Sequence, residues 1–343
     1  MINYHKFLPE DFYYPVLAKR AWDKLDRGEN VLVGGMYGCG IHTFLNVFSL
    51  LEKTKRGVRT DYYAVEDGMG ELKLWVKSKM NKPGRKVLAI HGFEKISNRR
   101  EVLEWLQQQR QPRPAGMVFL VVADHTVVTD PESYLALTSA FFGERLEIGP
   151  FDLEHTIRLV KLNAQYFRWE VSEEKFKTIF ELTGGVQRLV KHVCRLMSER
   201  GVRVEDVEKF TEDPSILFQI DLMVKIMSTC SISNLCKLGI TDGTGKIKAG
   251  LVAGYWRNYQ SEMASQLFPG LSHLESRVFS VLYGNIGRVL SLERMGDVLE
   301  IEGSEFSPWA IYKLISRLKP KIERNFRIVT VKGRGYMLER KVQ

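Results

Sequence analysis

The stretch "VLVGGMYGCGIHTFL", Val31 to Leu45, decides how the first half of this chain is read. An apolar β-branched run ends in glycines at 34, 35, 38 and 40 and opens directly onto text of helical period. That order, strand, glycine-rich turn, helix, is the one in which backbone N–H groups can close around a phosphate. In the pattern GxxxxGK[ST] the lysine supplies charge and the hydroxyl holds Mg²⁺. Here Gly35, Gly38 and Gly40 stand in place, but Ile41 takes the lysine position, His42 the hydroxyl position, and Thr43 comes one residue late.

Outward from this turn, short apolar runs alternate with longer amphipathic segments, which predicts a parallel sheet flanked by helices. The predicted strands are "NVLVGG", "TDYYAVE", "KVLAIHG", "GMVFLVVADH" and "ERLEIG", with helices over "IHTFLNVFSLLEK", "MGELKLWVKSKMN" and "REVLEWLQQQR". Five strands with crossovers make a three-layer α/β domain over residues 1–150. The strand "KVLAIHGFEKI" is where a nucleotide hydrolase needs an Asp to order Mg²⁺ and a carboxylate to polarise water. His91 takes that Asp position and Glu94 is the nearest carboxylate. His91 reads either as a strand-end cap or as a metal ligand, and no His/Cys/Asp cluster accompanies it. Cys39 reads either as a small residue filling the turn or as a thiol activated by a helix N-terminus.

The same residues resemble AAA+ and STAND-type P-loop ATPases over roughly residues 1–200. "LEIGPFDLEHTIRLV", Leu146 to Val160, resembles that family's entry into its helical lid, and "LTGGVQRLVKHVCRLM", Leu182 to Met197, resembles the lid helix with a nucleotide-sensing arginine. The resemblance implies a P-loop NTPase-like fold with a lid over 151–204, Arg188 as sensor, and Asp124 near the polar position after the fourth strand. Arg188 reads equally as the partner of a lid carboxylate. With the lysine and both metal-side groups replaced, no catalytic residue and no required cofactor are expected, while the retained glycines leave room for weak ATP or ADP binding. A small winged-helix-like linker module is expected over 205–265, with a helix boundary at Asp213-Pro214.

The last segment, 271–343, resembles the OmpR/PhoB-type winged helix-turn-helix over essentially its full length. "LSHLESRVFSVLYGNIGRVLSLERMGDVL" matches its first two helices, and "ISRLKPKI" followed by "RIVTVKGRGYML" matches the third helix and wing. Spacing supports this independently. Ser307 is a natural N-cap with Pro308 at the first helical position. Ile311, Leu314, Ile315, Leu318 and Ile322 then define one apolar stripe. The opposite face carries Trp309, Lys313 and Ser316, with Tyr312 and Arg317 on its flanks, and Lys319 and Lys321 in the last turn. Pro320 departs from the family pattern, and the third helix is expected to kink or stop early there. Lys332 and Arg334 lie in a glycine-bounded turn suited to a phosphate or a narrow minor groove. Residues 271–343 hold thirteen Lys/Arg against eight Asp/Glu, so this last fifth carries over half of the chain's net +9.

Together these features predict a DNA-binding, transcriptional-regulator-like protein with double-stranded DNA as its partner. The damaged ATPase-like module would be a platform for a protein partner or for homo-oligomerisation. Two alternatives stay open: a structural subunit of a nucleoprotein, mobile-element or defence assembly, and a nucleotide-binding STAND-type switch. The winged helix itself reads as a DNA reader or as a protein-contact module. The four scattered cysteines predict no disulfide framework. No apolar run reaches the ~18 to 20 residues of a membrane span. A cytoplasmic, nucleoid-associated location is the expectation.

Overall fold

The computed structural model describes residues 8–55, 57–66, 69–80, 84–110, 116–136, 140–243, 245–256, 264, 268–298 and 308–341. The chain divides into two compact units, one running to Ala253 and the other from Gly254 to the C-terminus.

The first unit is an α/β fold. Five parallel strands, β1 Asn30–Gly35, β2 Val58–Ala64, β3 Arg85–His91, β4 Met117–Ala123 and β5 Phe142–Ile148, lie in the order β2-β3-β4-β1-β5. Helix α1 spans Tyr13–Asp26, α2 Ile41–Glu52, α3 Met69–Met80, α4 Arg99–Arg110, and a single turn α5 Thr126–Thr129. Strands β1 and β4 are buried at every position, as expected of a parallel sheet covered on both faces. Leu32, Leu88, Ile90, Phe119 and Val121 face one layer with Leu72 and Val76 of α3 and Val102, Leu103 and Leu106 of α4. The alternate strand positions point the other way. There α1 lies along the sheet beside α2, with the Trp22 ring stacked on Phe48 at 4.4 Å and its indole N–H donating to the Phe48 carbonyl at 3.0 Å. Asn30, wholly buried at the start of β1, stitches the sheet: its amide donates to the Phe141 carbonyl and its oxygen accepts from the Phe119 N–H.

After the sheet come α6 Leu153–Phe167, α7 Glu174–Thr183, α8 Gln187–Arg200, α9 Val207–Thr211, α10 Pro214–Thr229 and α11 Ile232–Lys237. Asp152 caps α6 by accepting from the His155 N–H. Gly185, at φ +74°, is glycine because a Cβ there would lie 1.9 Å from the Phe151 carbonyl oxygen. Asp213 caps α10 with one oxygen and holds the Arg195 guanidinium at 2.8 Å with the other, while Pro214 begins the helix.

The stretch 205–265, expected as a module of its own, is divided between the units. Residues through Ala253 belong with the first, where α10 packs on α8. Within it Thr241 and Ile247 form one antiparallel bridge.

In the second unit, α12 His273–Gly284, α13 Leu292–Val298 and α14 Pro308–Ile322 precede a hairpin of β6 Phe326–Val331 and β7 Gly335–Arg340. Ser272 and Glu275 close a reciprocal capping box at the head of α12. Ile311, Leu314, Ile315, Leu318 and Ile322 are buried, as their spacing predicts, against Val278, Phe279, Leu282, Phe326, Ile328 and Leu338. The expected break at Pro320 is corrected: α14 runs through it to Ile322. The ring sits on the outward face, so the lost bond to the Ser316 carbonyl falls at the surface while the buried stripe carries the helix on to Ile322. The proposed cap Ser307 lies outside the described residues.

Candidate functional site: a latched glycine loop and an aromatic, basic helix face

The loop between β1 and α2 is held from three sides. Its successive carbonyls at 37, 38 and 39 each accept a hydrogen bond from a different helix. The Gln219 side-chain amide of α10 donates to Tyr37 at 3.0 Å, the Arg188 backbone N–H at the start of α8 donates to Gly38 at 3.0 Å, and the Tyr14 hydroxyl of α1 donates to Cys39 at 3.0 Å. Gly38 and Gly40 both have φ +90°. A Cβ at 40 would lie 1.9 Å from the Tyr14 hydroxyl oxygen, and one at 38 would lie 2.3 Å from the Gln219 amide oxygen. At Gly35 a Cβ would meet the Ile148 carbonyl oxygen at 2.6 Å and Ile41 Cγ1 at 3.3 Å. The glycines are therefore demanded by packing within the chain itself. Tyr14 and Gln219 were not singled out from sequence; a buried tyrosine and a wholly buried glutamine at helix positions carry little signal until their partners are known.

The residues around this loop are apolar or carry imidazoles and buried carboxylates. Ile41 places an alkyl group where a cation would serve. The His42 and His91 rings meet at 5.1 Å, so both positions that would carry Mg²⁺ ligands are imidazoles. Burial, then His42 and Lys95, pushes His91 below the ordinary histidine range. Burial, reinforced by Asp124, raises Glu94 above the ordinary glutamate range, and its Oε2 is buried without a partner. Asp124 resists the cost of burial by turning into its own loop: His125 lies at 3.2 Å, and the Thr126 N–H and hydroxyl donate to it at 2.8 and 2.6 Å. These contacts hold it below the ordinary range. Cys39 is fully buried and its thiol is pushed well up, which answers the question of its reactivity in favour of a filled turn. Thr43 lies on the first turn of α2. Among the described residues no group of three or more His, Cys, Asp or Glu is arranged to hold a metal ion.

Arg188 does not pair with a lid carboxylate. Its guanidinium stacks over the Tyr37 ring at 4.8 Å, and Tyr37 in turn meets Phe218 edge to face at 6.5 Å.

In the second unit the outward face of α14 is aromatic and basic. Trp309 and Tyr312 are among its most exposed large side chains, and the Lys313 ammonium lies 4.0 Å from the Trp309 ring centre. Lys319 lies over the Tyr336 ring at 5.9 Å, and Ser316 is exposed between these groups. Arg317 and Lys321 converge on Glu275, at 3.9 and 2.6 Å, a carboxylate whose side chain is only 2% exposed. Against the cost of burial, the Lys321 and Ser272 hydrogen bonds hold Glu275 below the ordinary range, so it stays charged and offsets part of the helix's positive charge. Sequence reasoning missed this carboxylate because it lies 46 residues from Lys321. In the hairpin turn Lys332 and Arg334 are exposed, Gly333 has φ +72°, and the Arg334 N–H closes onto the Val331 carbonyl. Gly335 lets β7 approach so closely that a Cβ there would lie 1.8 Å from the Leu290 carbonyl oxygen.

No family model matches the chain, and no curated protein matches it. Solved structures do resemble it. The RuvB protein of Thermotoga maritima is 14% identical, with 95% of this chain and 89% of that one covered and a TM-score of 0.42. The replication initiator DnaA, bound to AMPPCP and single-stranded DNA, is 13% identical, with 94% and 93% covered and a TM-score of 0.46. The Orc1 protein of Aeropyrum pernix in complex with DNA is 10% identical, with 98% and 91% covered and a TM-score of 0.38.

Proposed function

We propose that this chain is a DNA-binding protein of the transcriptional-regulator type. Its second unit acts as an OmpR/PhoB-type winged helix on duplex DNA. Its first unit is an AAA+/STAND-like module without catalysis, serving as a platform for a protein partner or for self-association. The observation that carries the reading is the outward face of α14: Trp309, Tyr312, Lys313 and Ser316 lie exposed on a helix whose other face is core, with Lys332 and Arg334 at an adjoining hairpin turn of the same unit. Such a face fits a major groove, where lysine reaches guanine acceptors and serine serves either partner. An exposed turn with two cations suits the flanking phosphates.

The test is anisotropy of a labelled duplex over a salt series. The logarithm of the affinity is expected to fall linearly with the logarithm of salt concentration, and each phosphate contact removed should lessen the slope by roughly 0.9. Lys313→Ala and Arg334→Ala are expected to weaken binding, with Arg317→Ala a smaller loss because Glu275 already holds part of that charge. Binding that is independent of salt, or unaltered in the triple variant, rejects the reading.

The nucleotide-switch alternative draws on the retained glycines and on Arg188; the glycines have a packing account in Tyr14, Gln219 and Ile148, and Arg188 stacks on Tyr37. Millimolar ATP with Mg²⁺ is expected to leave the melting temperature unchanged; a rise that Tyr14→Phe or Gly40→Ala alters would restore the switch.

A further inference from the structure

Helix α14 carries four cations, Lys313, Arg317, Lys319 and Lys321, and no acidic residue of its own. The four do not share one environment. Lys313 and Lys319 lean on the rings of Trp309 and Tyr336, which leave an ammonium its full charge. Arg317 and Lys321, one turn apart, turn instead toward Glu275 in the first turn of α12. That carboxylate is built in from several sides. One of its oxygens accepts from the Ser272 N–H at 2.7 Å and from the Lys321 ammonium at 2.6 Å, and its own N–H donates to the Ser272 hydroxyl. The Lys321 ammonium also donates to the Gly270 carbonyl at 2.9 Å, so it is tied at two points. Arg317 is held more loosely, with its Nε 3.9 Å from the other carboxylate oxygen and its side chain 61% exposed. If Lys321 left for another anion, the Glu275 charge would stay behind at 2% exposure without its nearest counter-ion, a costly arrangement. A phosphate must therefore compete with Glu275 for these two cations.

We propose that Glu275 is a positioning residue of the duplex-binding face: it withholds Lys321 and part of the Arg317 charge from the DNA backbone, and so limits how many phosphates α14 can hold. The inference rests on the duplex-binding reading and deepens it. A lysine or arginine that meets a phosphate releases counterions whatever the sequence, whereas contacts from Lys313 and Ser316 to base edges depend on the sequence met. An internal carboxylate that occupies two of the four cations trims the sequence-independent part of the affinity and leaves the base-reading part intact. Lys321, which the sequence places among the cations of the last turn, is on this account an anchor of the helix.

The experiment is anisotropy of a labelled mixed-sequence duplex of about two helical turns, roughly 20 base pairs, titrated with the full chain from about 50 to about 200 mM salt. Glu275→Gln keeps the length of the side chain and an oxygen for the Ser272 N–H while removing the charge. It is expected to tighten binding at the low-salt end and to steepen the salt slope by roughly 0.9 for each cation released, about 1.8 for both. Adding Lys321→Gln and Arg317→Gln to Glu275→Gln is expected to return the slope to the parent's or below. Either cation change is expected to lessen the slope more beside Glu275→Gln than in the parent. Ser272→Ala, which weakens the capping box and leaves the carboxylate, is expected to lower the melting temperature of the second unit without changing the slope, and so separates charge from support of the fold. All slopes are measured below the melting range of each variant. A slope that Glu275→Gln leaves unchanged or lessens, in a parent that binds with salt dependence, overturns the proposal and leaves the duplex reading standing. A steeper slope that survives Lys321→Gln with Arg317→Gln also overturns it, because other cations then carry the gain. A parent that binds the duplex without salt dependence rejects the reading beneath it, and the proposal falls with it.

Discussion

A methyl group on residue 40 would sit 1.9 Å from the Tyr14 hydroxyl oxygen, on a backbone at φ +90° that side-chain-bearing residues rarely adopt. Gly40→Ala is therefore expected to cost roughly 2–4 kcal/mol in denaturant unfolding. Gly70→Ala, in open space on α3, is expected to be neutral or to stabilise by up to ~1 kcal/mol. Tyr14→Phe, which orphans a buried carbonyl, is expected to cost about 1–2 kcal/mol. The glycine spacing was legible in the sequence and its cause was not, because the donors lie 25 and 182 residues from the carbonyls they hold. His192 makes a second residue-scale case. Burial first, then Arg195 and Lys191, lowers it from an ordinary 6.5 to about 4, so the folded chain keeps it neutral while the unfolded chain takes up a proton. Stability from this group is present above about pH 6.5 and is lost as pH falls toward about 4. Thermal unfolding across that window should slope less in His192→Leu.

At the scale of elements, apolar period placed all five strands and the three crossover helices to within a few residues, since the three central strands are buried almost throughout and each of those helices buries one apolar face. It missed α1, whose start at Tyr13-Tyr14-Pro15 follows Phe12 and has no side-chain cap, so no start signal marks it. It also overweighted Pro320. A proline in a helix interior removes one hydrogen bond and crowds the turn before it, yet five buried side chains on the opposite face of α14 keep its path. Pro320→Ala should then return a bond to the Ser316 carbonyl and stabilise the second unit by roughly 1–3 kcal/mol, read by urea unfolding. Because residue 320 lies on the outward face, the same variant also probes the duplex contact proposed for that face.

At the scale of the molecule, two units with separate cores are expected to unfold in two calorimetric transitions. Leu318→Ala should lower only one of them, by about 2–5 kcal/mol of that unit's stability. The concentration of positive charge after residue 271 was plain in the sequence. The division of 205–265 was not, because α10 reads as an ordinary amphipathic helix and only its position shows that it serves the loop. That latch has a practical corollary. Cys39 lies wholly inside it, whereas Cys236 is exposed. An alkylating reagent should mark Cys236 at once and reach Cys39 only when Tyr14 and Gln219 let go, so the slow labelling rate is a clock for how often α1, α8 and α10 part from the sheet.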